Sequence, residues 1–409
     1  MDQAQRLLQR IGTYGERMIE AQRELVAVPS LGPTNGGEGE GEKAAIFERW
    51  LKELGLETEH EDAPDERVPG GVRPNLWGVM PGGDGPPVWV LGHLDVVPEG
   101  DRSLWSSDPW ELKVDGDLIY GRGVMDDHAA LVSSYFALQA LQDEGIAPAG
   151  PVGLIAVSDE ETGSAYGLEH LLKKRPELFS PDDLILVPDA GEPDGSFIEV
   201  AEKSMLWLKV TVQGKQVHGS TPHKGVNALY AAAKMMVATR ELAQGFGAAD
   251  PLFDPMVSTC EPTRKEAGVS NINTVPGRDV FYVDCRILPG ITLEEVLAVF
   301  TERFEAIAAR EGATVELEVV NRMQAAPATD PQSPVVQALT RGVKRVRGLE
   351  PKVGGVGGGT VAAFFRKAGL PVAVWYSCEP SVHQPDEFAR ISSMIADAQV
   401  MALIYAGLA

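Results

Sequence analysis

The chain has 409 residues, 44% hydrophobic and 23% charged, an ordinary globular composition with length enough for two domains. Its 59 acidic against 36 basic residues leave a net charge of −23, which argues against nucleic acid or an anionic membrane as partner and favours cation binding. Three cysteines, Cys260, Cys285 and Cys378, with no C-x-x-C pair, fit a reduced cytoplasmic protein, and no apolar run approaches the roughly 20 residues that span a bilayer.

Residues 1–24 read as one amphipathic helix, with Leu7, Leu8, Ile11, Tyr14 and Met18 at helical spacing among charges. They lack the apolar core and cleavage site of a signal peptide. Residues 1–60 read as two helices around a polar loop at 31–42. A strand is expected near Asn75–Met80, and a continuous apolar one from Val88 ends in His93 and Asp95. The strand Leu118–Tyr120 leads into Gly121-Arg122-Gly123 and the pair Asp126-Asp127, before a helix with apolar positions from Ala129 to Leu141. The apolar run Pro151–Val157 stops at Ser158-Asp159-Glu160-Glu161-Thr162-Gly163; a helix near 164–174 and a strand from Asp183 to Asp189 follow. Strands alternating with helices indicate an α/β sheet with substantial parallel character.

The pattern changes after about residue 203. Met205–Gln213 alternates apolar and polar residues like a half-exposed strand. Helices near 226–243 and 292–311, with strands at 279–287 and 314–320, complete a βαββαβ-like set. This reads as a smaller α+β domain, 204–321, inserted into a first domain made of 1–203 and 322–409. The last part returns to α/β order: a helix at 335–346, a Gly-rich loop at 354–359, a helix at 361–368, a strand at 371–376 and a closing helix at 390–406.

Four expected strand ends carry His93 with Asp95, Asp126 with Asp127, Glu160 with Glu161, and Asp189; His383 follows a fifth apolar strand. Carboxylates ending a buried strand are costly unless positive charge meets them. Alone, 158–163 reads as a solvated acidic loop, and a lone His as satisfied packing. Ligands of α/β sheets gather beyond the carboxyl ends of strands, so the five segments together point to a metal site. Two His and several acids without Cys suit a pair of Zn²⁺, Co²⁺ or Mn²⁺ ions, the second ion offsetting repulsion among the acids. Neighbours on an extended chain point opposite ways, so one of Glu160 and Glu161 can bind metal while the other faces a water. There is no G-x-S-x-G elbow and no cysteine in a nucleophile-like setting. The run Gly354–Thr360 lacks the Lys-Ser/Thr of a phosphate loop, though its backbone N–H groups can cradle a carboxylate.

Gly92-His93-Leu94-Asp95-Val96-Val97-Pro98, Gly121-Arg122-Gly123 with Asp126, Ser158-Asp159-Glu160-Glu161, and the late His383 resemble the signature of the M20 metallopeptidase family. That family includes acetylornithine deacetylase, succinyl-diaminopimelate desuccinylase, carboxypeptidase G2 and several dipeptidases. The resemblance covers nearly the whole chain. It implies a dinuclear zinc hydrolase, with two Zn²⁺ per subunit, whose mixed-sheet zinc-peptidase-like catalytic domain carries an inserted ferredoxin-like domain for homodimerisation. It makes Asp126 the carboxylate bridging both metals, with His93 and Asp189 completing one site and Glu161 and His383 the other. Glu160 becomes the general base, and Asp95 the group that orients His93 from behind. The Asp126–Asp127 peptide is often cis in the family. His218, within Gly214–Ser220, matches a His that reaches the partner subunit's active site and stabilises the tetrahedral intermediate, with His223 left as a loop residue. Asn273 and Arg286 match positions that hold the substrate's carboxylate, and Gly358, Gly359 and Thr360 are assigned with them.

Two departures bear on substrate. Val361-Ala362 follows Thr360 where Asp or Ser-Asp is common, and His128 stands where Lys is common. The expected function is cleavage of an amide in a small carboxylate-bearing substrate, as an N-acyl amino acid deacylase ahead of a dipeptidase or carboxypeptidase. A dinuclear phosphoesterase is disfavoured because only Arg122 stands near the proposed metals. A non-catalytic binding protein is disfavoured because Glu160 is retained.

Overall fold

Four short runs rich in Val, Leu and Ile are buried on both faces, as parallel strands at the middle of a layered sheet must be. They are β1 (Val88–His93), β2 (Val152–Val157), β3 (Leu184–Val187) and β4 (Val372–Val374) in a computed structural model that describes residues 2–409. Met1, which opens the expected first helix, lies outside the described residues. The eight-stranded sheet runs Thr58–His60, Leu76–Met80, β2, β1, β3, β4, Phe197–Glu202, Lys352–Val356. β2, β1, β3 and β4 are mutually parallel neighbours, while Leu76–Met80 joins β2, and Phe197–Glu202 joins β4, antiparallel. The result is a mixed α/β fold with a mixed central sheet. Helix α1 (His128–Asp143) is apolar nearly all round and packs between β1 and the closing helix α2 (Ile391–Tyr405).

Three expectations need correction. The first helix is two, Gln3–Ile11 and Gly15–Val26, with Gly12 capping the first. Leu7, Ile11, Tyr14 and Met18 stay buried across the break, which is why their spacing reads as continuous. The helix expected from 164 begins at Leu168, because Glu160–Thr162 forms a 3₁₀ turn and Asp159, Gly163 and Ser164 all have positive φ. Leu118–Tyr120 is not a strand of the main sheet. It is the middle of a three-stranded sheet with Lys113–Asp115 and Phe388–Arg390, so Asp126 and Asp127 arrive on a loop that ends at the N-terminus of α1.

The chain divides into two compact units, one comprising residues up to Val200 with 329–353 and 360–409, the other 201–328 with 354–359. The Gly-rich segment 354–359, expected with the first, thus falls in the second. Gly355 N donates to Leu252 O at 2.7 Å, Lys203 N to Val356 O at 3.0 Å, and Arg286 Nη1 to Gly357 O at 2.7 Å. The second unit holds a four-stranded antiparallel sheet in the order Thr259–Lys265, Arg278–Ile287, Ser204–Gln213, Thr314–Met323. Leu206, Leu208, Val210 and Val212 alternate inward and meet Met235 of the helix Ala228–Ala243 and Phe300 and Phe304 of the helix Leu293–Glu311. The strand Thr259–Lys265 is hidden in the sequence by Glu261, Pro262 and two basic residues. Among the described residues, no helix is long and apolar enough to cross a membrane.

Candidate metal centre

The carboxyl ends of four adjacent parallel strands deliver four of the five expected ligands: β1 His93, β2 Glu161, β3 Asp189 and β4, after a longer excursion, His383. The loop before α1 delivers Asp126. Gly92 lets that loop come close, since a Cβ there would stand 2.7 Å from Asp127 Oδ2 and 2.8 Å from Leu131 Cδ2. Asp127 Oδ2 accepts the His93 backbone N–H at 3.0 Å, and the Asp126–Asp127 peptide is cis.

His93 Nε2 lies 2.8 Å from Asp126 Oδ1 and 3.8 Å from Asp189 Oδ1. His383 Nε2 lies 3.1 Å from Asp126 Oδ2 and 3.1 Å from Glu161 Oε2. In each cluster, His93–Asp126–Asp189 and Asp126–Glu161–His383, the candidate ligand atoms fall within 4.8 Å of one another. Asp126 gives one oxygen to each, and Glu160, next to Glu161, belongs to neither.

The electrostatics fit bound cations. Burial works against a charged His93, yet its hydrogen bonds to Asp126 and Asp95 carry its pKa well above the usual imidazole value. Hydrogen bonds to Asp126 and Glu161 raise His383 to about 10. Asp126 is pulled below the usual carboxylate range, its burial outweighed by the two imidazoles. Burial first, and then Asp189, pushes Glu160 well up. Four carboxylates thus compete for two imidazolium protons, an imbalance that metal cations remove, and a donor set of N and O without S suits Zn²⁺, Co²⁺ or Mn²⁺.

Asp95 stands behind His93 and also behind the next turn. His93 Nδ1 meets the Asp95 backbone oxygen at 2.9 Å, with the carboxylate at 3.5 Å. The carboxylate also accepts the backbone N–H groups of Glu160 and Glu161, each at 3.0 Å. Asp95 therefore fixes the turn that carries both glutamates.

Sequence reasoning missed Glu387. This buried carboxylate pairs with Arg122 and accepts the backbone N–H groups of Gly123, Met125 and Asp126 at 3.1, 3.0 and 3.1 Å, holding the Asp126 loop from behind. Its only signal was Arg122, a cation with no other evident task. His128 is buried with its Nε2 2.7 Å from Lys43 Nζ; burial lowers Lys43 to about 7 against the pull of Asp95, Glu40 and Glu387, and lowers His128 as well.

The remaining candidates, Thr360 apart, lie in the second unit. His218 is exposed, and its Nδ1 accepts Ser220 N–H at 3.1 Å, which places the neutral ring's proton on Nε2. His223 sits exposed in a 3₁₀ turn, Pro222–Lys224. Asn273 is exposed, with Asn271 Nδ2 donating to its Oδ1 at 2.7 Å. Arg286 spends its guanidinium on Asp284, at 2.7 and 3.1 Å, and on Gly357 O. A Cβ at Gly358 would meet nothing within 4 Å, whereas one at Gly359 would strike Met323. Thr360 falls in the first unit, its Oγ1 accepting Ala362 N–H at 3.2 Å.

Residues 89–406 match the profile of peptidase family M20/M25/M40. The chain belongs to that family. This M20 metallohydrolase is 37% identical to an uncharacterized metallohydrolase of Methanococcus maripaludis, over 94% of this chain and 97% of that one. It is 28% identical to a succinyl-diaminopimelate desuccinylase of Methylocella silvestris, over 94% and 96% of the two chains. The crystal structure of aminopeptidase PepT from Bacillus cereus shares its fold, with a TM-score of 0.75 at 23% identity, over 96% of this chain and 98% of that one.

Proposed function

We propose that this M20 metallohydrolase is a dinuclear amidohydrolase that cleaves the amide bond of a small carboxylate-bearing substrate, in the first place an N-acyl amino acid. One observation carries the reading: Asp126 offers one oxygen to each of two His/carboxylate clusters, and Glu160 stands beside them outside both. His93, Asp126 and Asp189 would hold one Zn²⁺, and Asp126, Glu161 and His383 the other, with Co²⁺ or Mn²⁺ suiting the same donors. Bound there, the metals supply Lewis acidity that polarises the amide carbonyl and acidifies a water.

The chain's own residues do the rest. Glu160, whose pKa burial raises, takes a proton from the attacking water and passes it to the leaving nitrogen as the C–N bond breaks. Asp95 keeps that carboxylate in place through the backbone of the turn. His218 of the partner subunit, with its proton on Nε2, donates to the developing oxyanion in a homodimer. Asn273, Gly358, Gly359 and Thr360 take the substrate's carboxylate, and Arg286 serves it from behind by holding Gly357.

The test is amine release from a panel of N-acyl amino acids and dipeptides by chain stripped of metal and then reloaded. Metal-dependent release from acylated substrates is expected. Release from dipeptides alone moves the assignment to a dipeptidase or carboxypeptidase. Silence on every substrate with every metal sinks the substrate class.

A further inference from the structure

Glu160 and Glu161 ride on a turn that is locally strained. Asp159 at φ 65° and Ser164 at φ 59° lie in the left-handed region that side-chain-bearing residues visit only when their surroundings enforce it. Two sets of contacts enforce it here. Asp95 holds the two backbone N–H groups already described. The second set comes from Arg73-Pro74-Asn75, which lead into the strand beside β2. Ser158 Oγ donates to Pro74 O at 2.6 Å and Ser158 N to Asn75 Oδ1 at 3.2 Å, while Asn75 Nδ2 donates to Tyr166 O at 2.9 Å. Arg73 Nη1 donates to Asp159 Oδ1 at 3.2 Å. Asp159 then closes the turn on itself, its Oδ2 accepting Tyr166 N–H at 3.0 Å and its Oδ1 binding the Thr162 hydroxyl.

Arg73 is fully buried, and it is anchored on its far side. Its Nε donates to Glu40 Oε2 at 2.8 Å and its Nη2 to Glu40 Oε1, so two edges of one planar group link Glu40 to Asp159. A fork of this kind fixes direction as well as charge, which a lysine cannot do. The geometry points to Arg73 as a positioning residue for hydrolysis, acting through Asp159 to set where the neighbouring Glu160 carboxylate stands. The assignment rests on Glu160 as the base. A fully buried side chain joined to the residue adjacent to that base, in a turn whose conformation needs enforcing, has a task beyond ordinary packing.

The experiment compares metal-loaded wild type with Arg73→Lys, Asp159→Asn and Glu160→Gln, reading kcat and KM per folded chain together with the thermal midpoint. Arg73→Lys keeps the charge beside Glu40 but loses the fork, and its kcat is expected to fall about 10–100-fold with KM and midpoint near wild type, as for groups behind a metal site. Asp159→Asn, which keeps an oxygen for the Tyr166 N–H, is expected to show the same split and carries the test if the Lys variant folds poorly. Wild-type kcat in the folded variants, or a loss of activity that only tracks loss of folded chain, overturns the positioning role. Glu160→Gln separates the two failures. If that variant is dead while the Arg73 and Asp159 variants are fully active, only this inference falls; if it turns over normally, the reading of Glu160 as base falls first.

Discussion

The two sets of candidate residues are organised in opposite ways. Around the metal centre, three of the ligand-bearing segments are tied from behind by a buried acceptor: Asp127 holds His93, Glu387 holds Asp126, and Asp95 holds the turn of Glu160 and Glu161. In the second unit, His218, Asn273 and Arg286 are exposed or half-exposed and satisfied by neighbours one to three residues away, apart from the Arg286 bond to Gly357. The three segments at the metal centre are fixed by backbone hydrogen bonds before anything binds, as charged ligands in a low-dielectric site must be, while His383 stays half-exposed. The second set is held only locally, which suits groups that work when a substrate or partner subunit arrives. Preorganisation therefore separates the two sets more sharply than residue type does.

The widest break in this comparison would come from Asp126. Asp126→Asn weakens both clusters at once, and metal analysis is expected to show loss of both ions with turnover at background, whereas Asp189→Asn should lose one. A full pair of ions retained in the Asp126→Asn variant would mean that no carboxylate is shared. Glu160→Gln tests the same region without touching a ligand. Its kcat is expected to drop about 10²–10⁴-fold, the usual worth of a general base, with both metals retained. Loss of metal in that variant would show that Glu160 and Glu161 had been assigned the wrong way round. For the second set, His218→Ala should cost about 10²–10³-fold in kcat, the range for one oxyanion donor, and leave the thermal midpoint unchanged because the side chain is exposed. A lowered midpoint with normal turnover would make His218 a structural residue of its own loop.

The division between the two sets also marks what the sequence could reveal. His93, Glu161, Asp189 and His383 were legible because apolar strand runs stop at them, and a buried strand cannot end in charge without a partner. Asp126 was read for the wrong reason. Leu118–Tyr120 looks like any short apolar strand, and which sheet it joins is decided by its pairing with Phe388–Arg390, more than 250 residues away. Arg73 and Glu40 left no pattern and Glu387 only the unexplained Arg122, because a buried charge is betrayed only by burial and these three stand in polar, loop-like stretches. The break at Gly12 was invisible for a different reason, since both short helices keep their apolar residues on one buried stripe. The exchange of segment 354–359 between units was equally hidden, for it depends on backbone bonds to Leu252, Lys203 and Arg286 that glycines do not advertise.

The smallest expected effect concerns pH, and it separates protons from metals as the cations of the centre. In chain stripped of metal, hydrogen bonds to Asp126 and then Glu161 hold His383 protonated up to about 10, against about 6.5 for an unfolded histidine. Below the lower value both states carry the proton, and the favourable pairing is fully present. Between the two values the folded chain binds a proton that the unfolded chain lacks, so stability falls as pH rises, and the contribution is gone above about 10. His93, raised in the same direction, adds to the slope. When its nitrogen is ligated, His383 has no proton to lose, and this part of the slope vanishes. Thermal midpoints at pH 6, 8 and 10 for stripped and loaded chain read the difference, with His383→Gln as control. Half-exposed as it is, His383 is screened by solvent, and the shift should be modest and shrink with added salt. Parallel curves for stripped and loaded chain, with no flattening in the His383→Gln variant, would mean that His383 does not face the carboxylates in solution, and the second cluster would lose its nitrogen ligand.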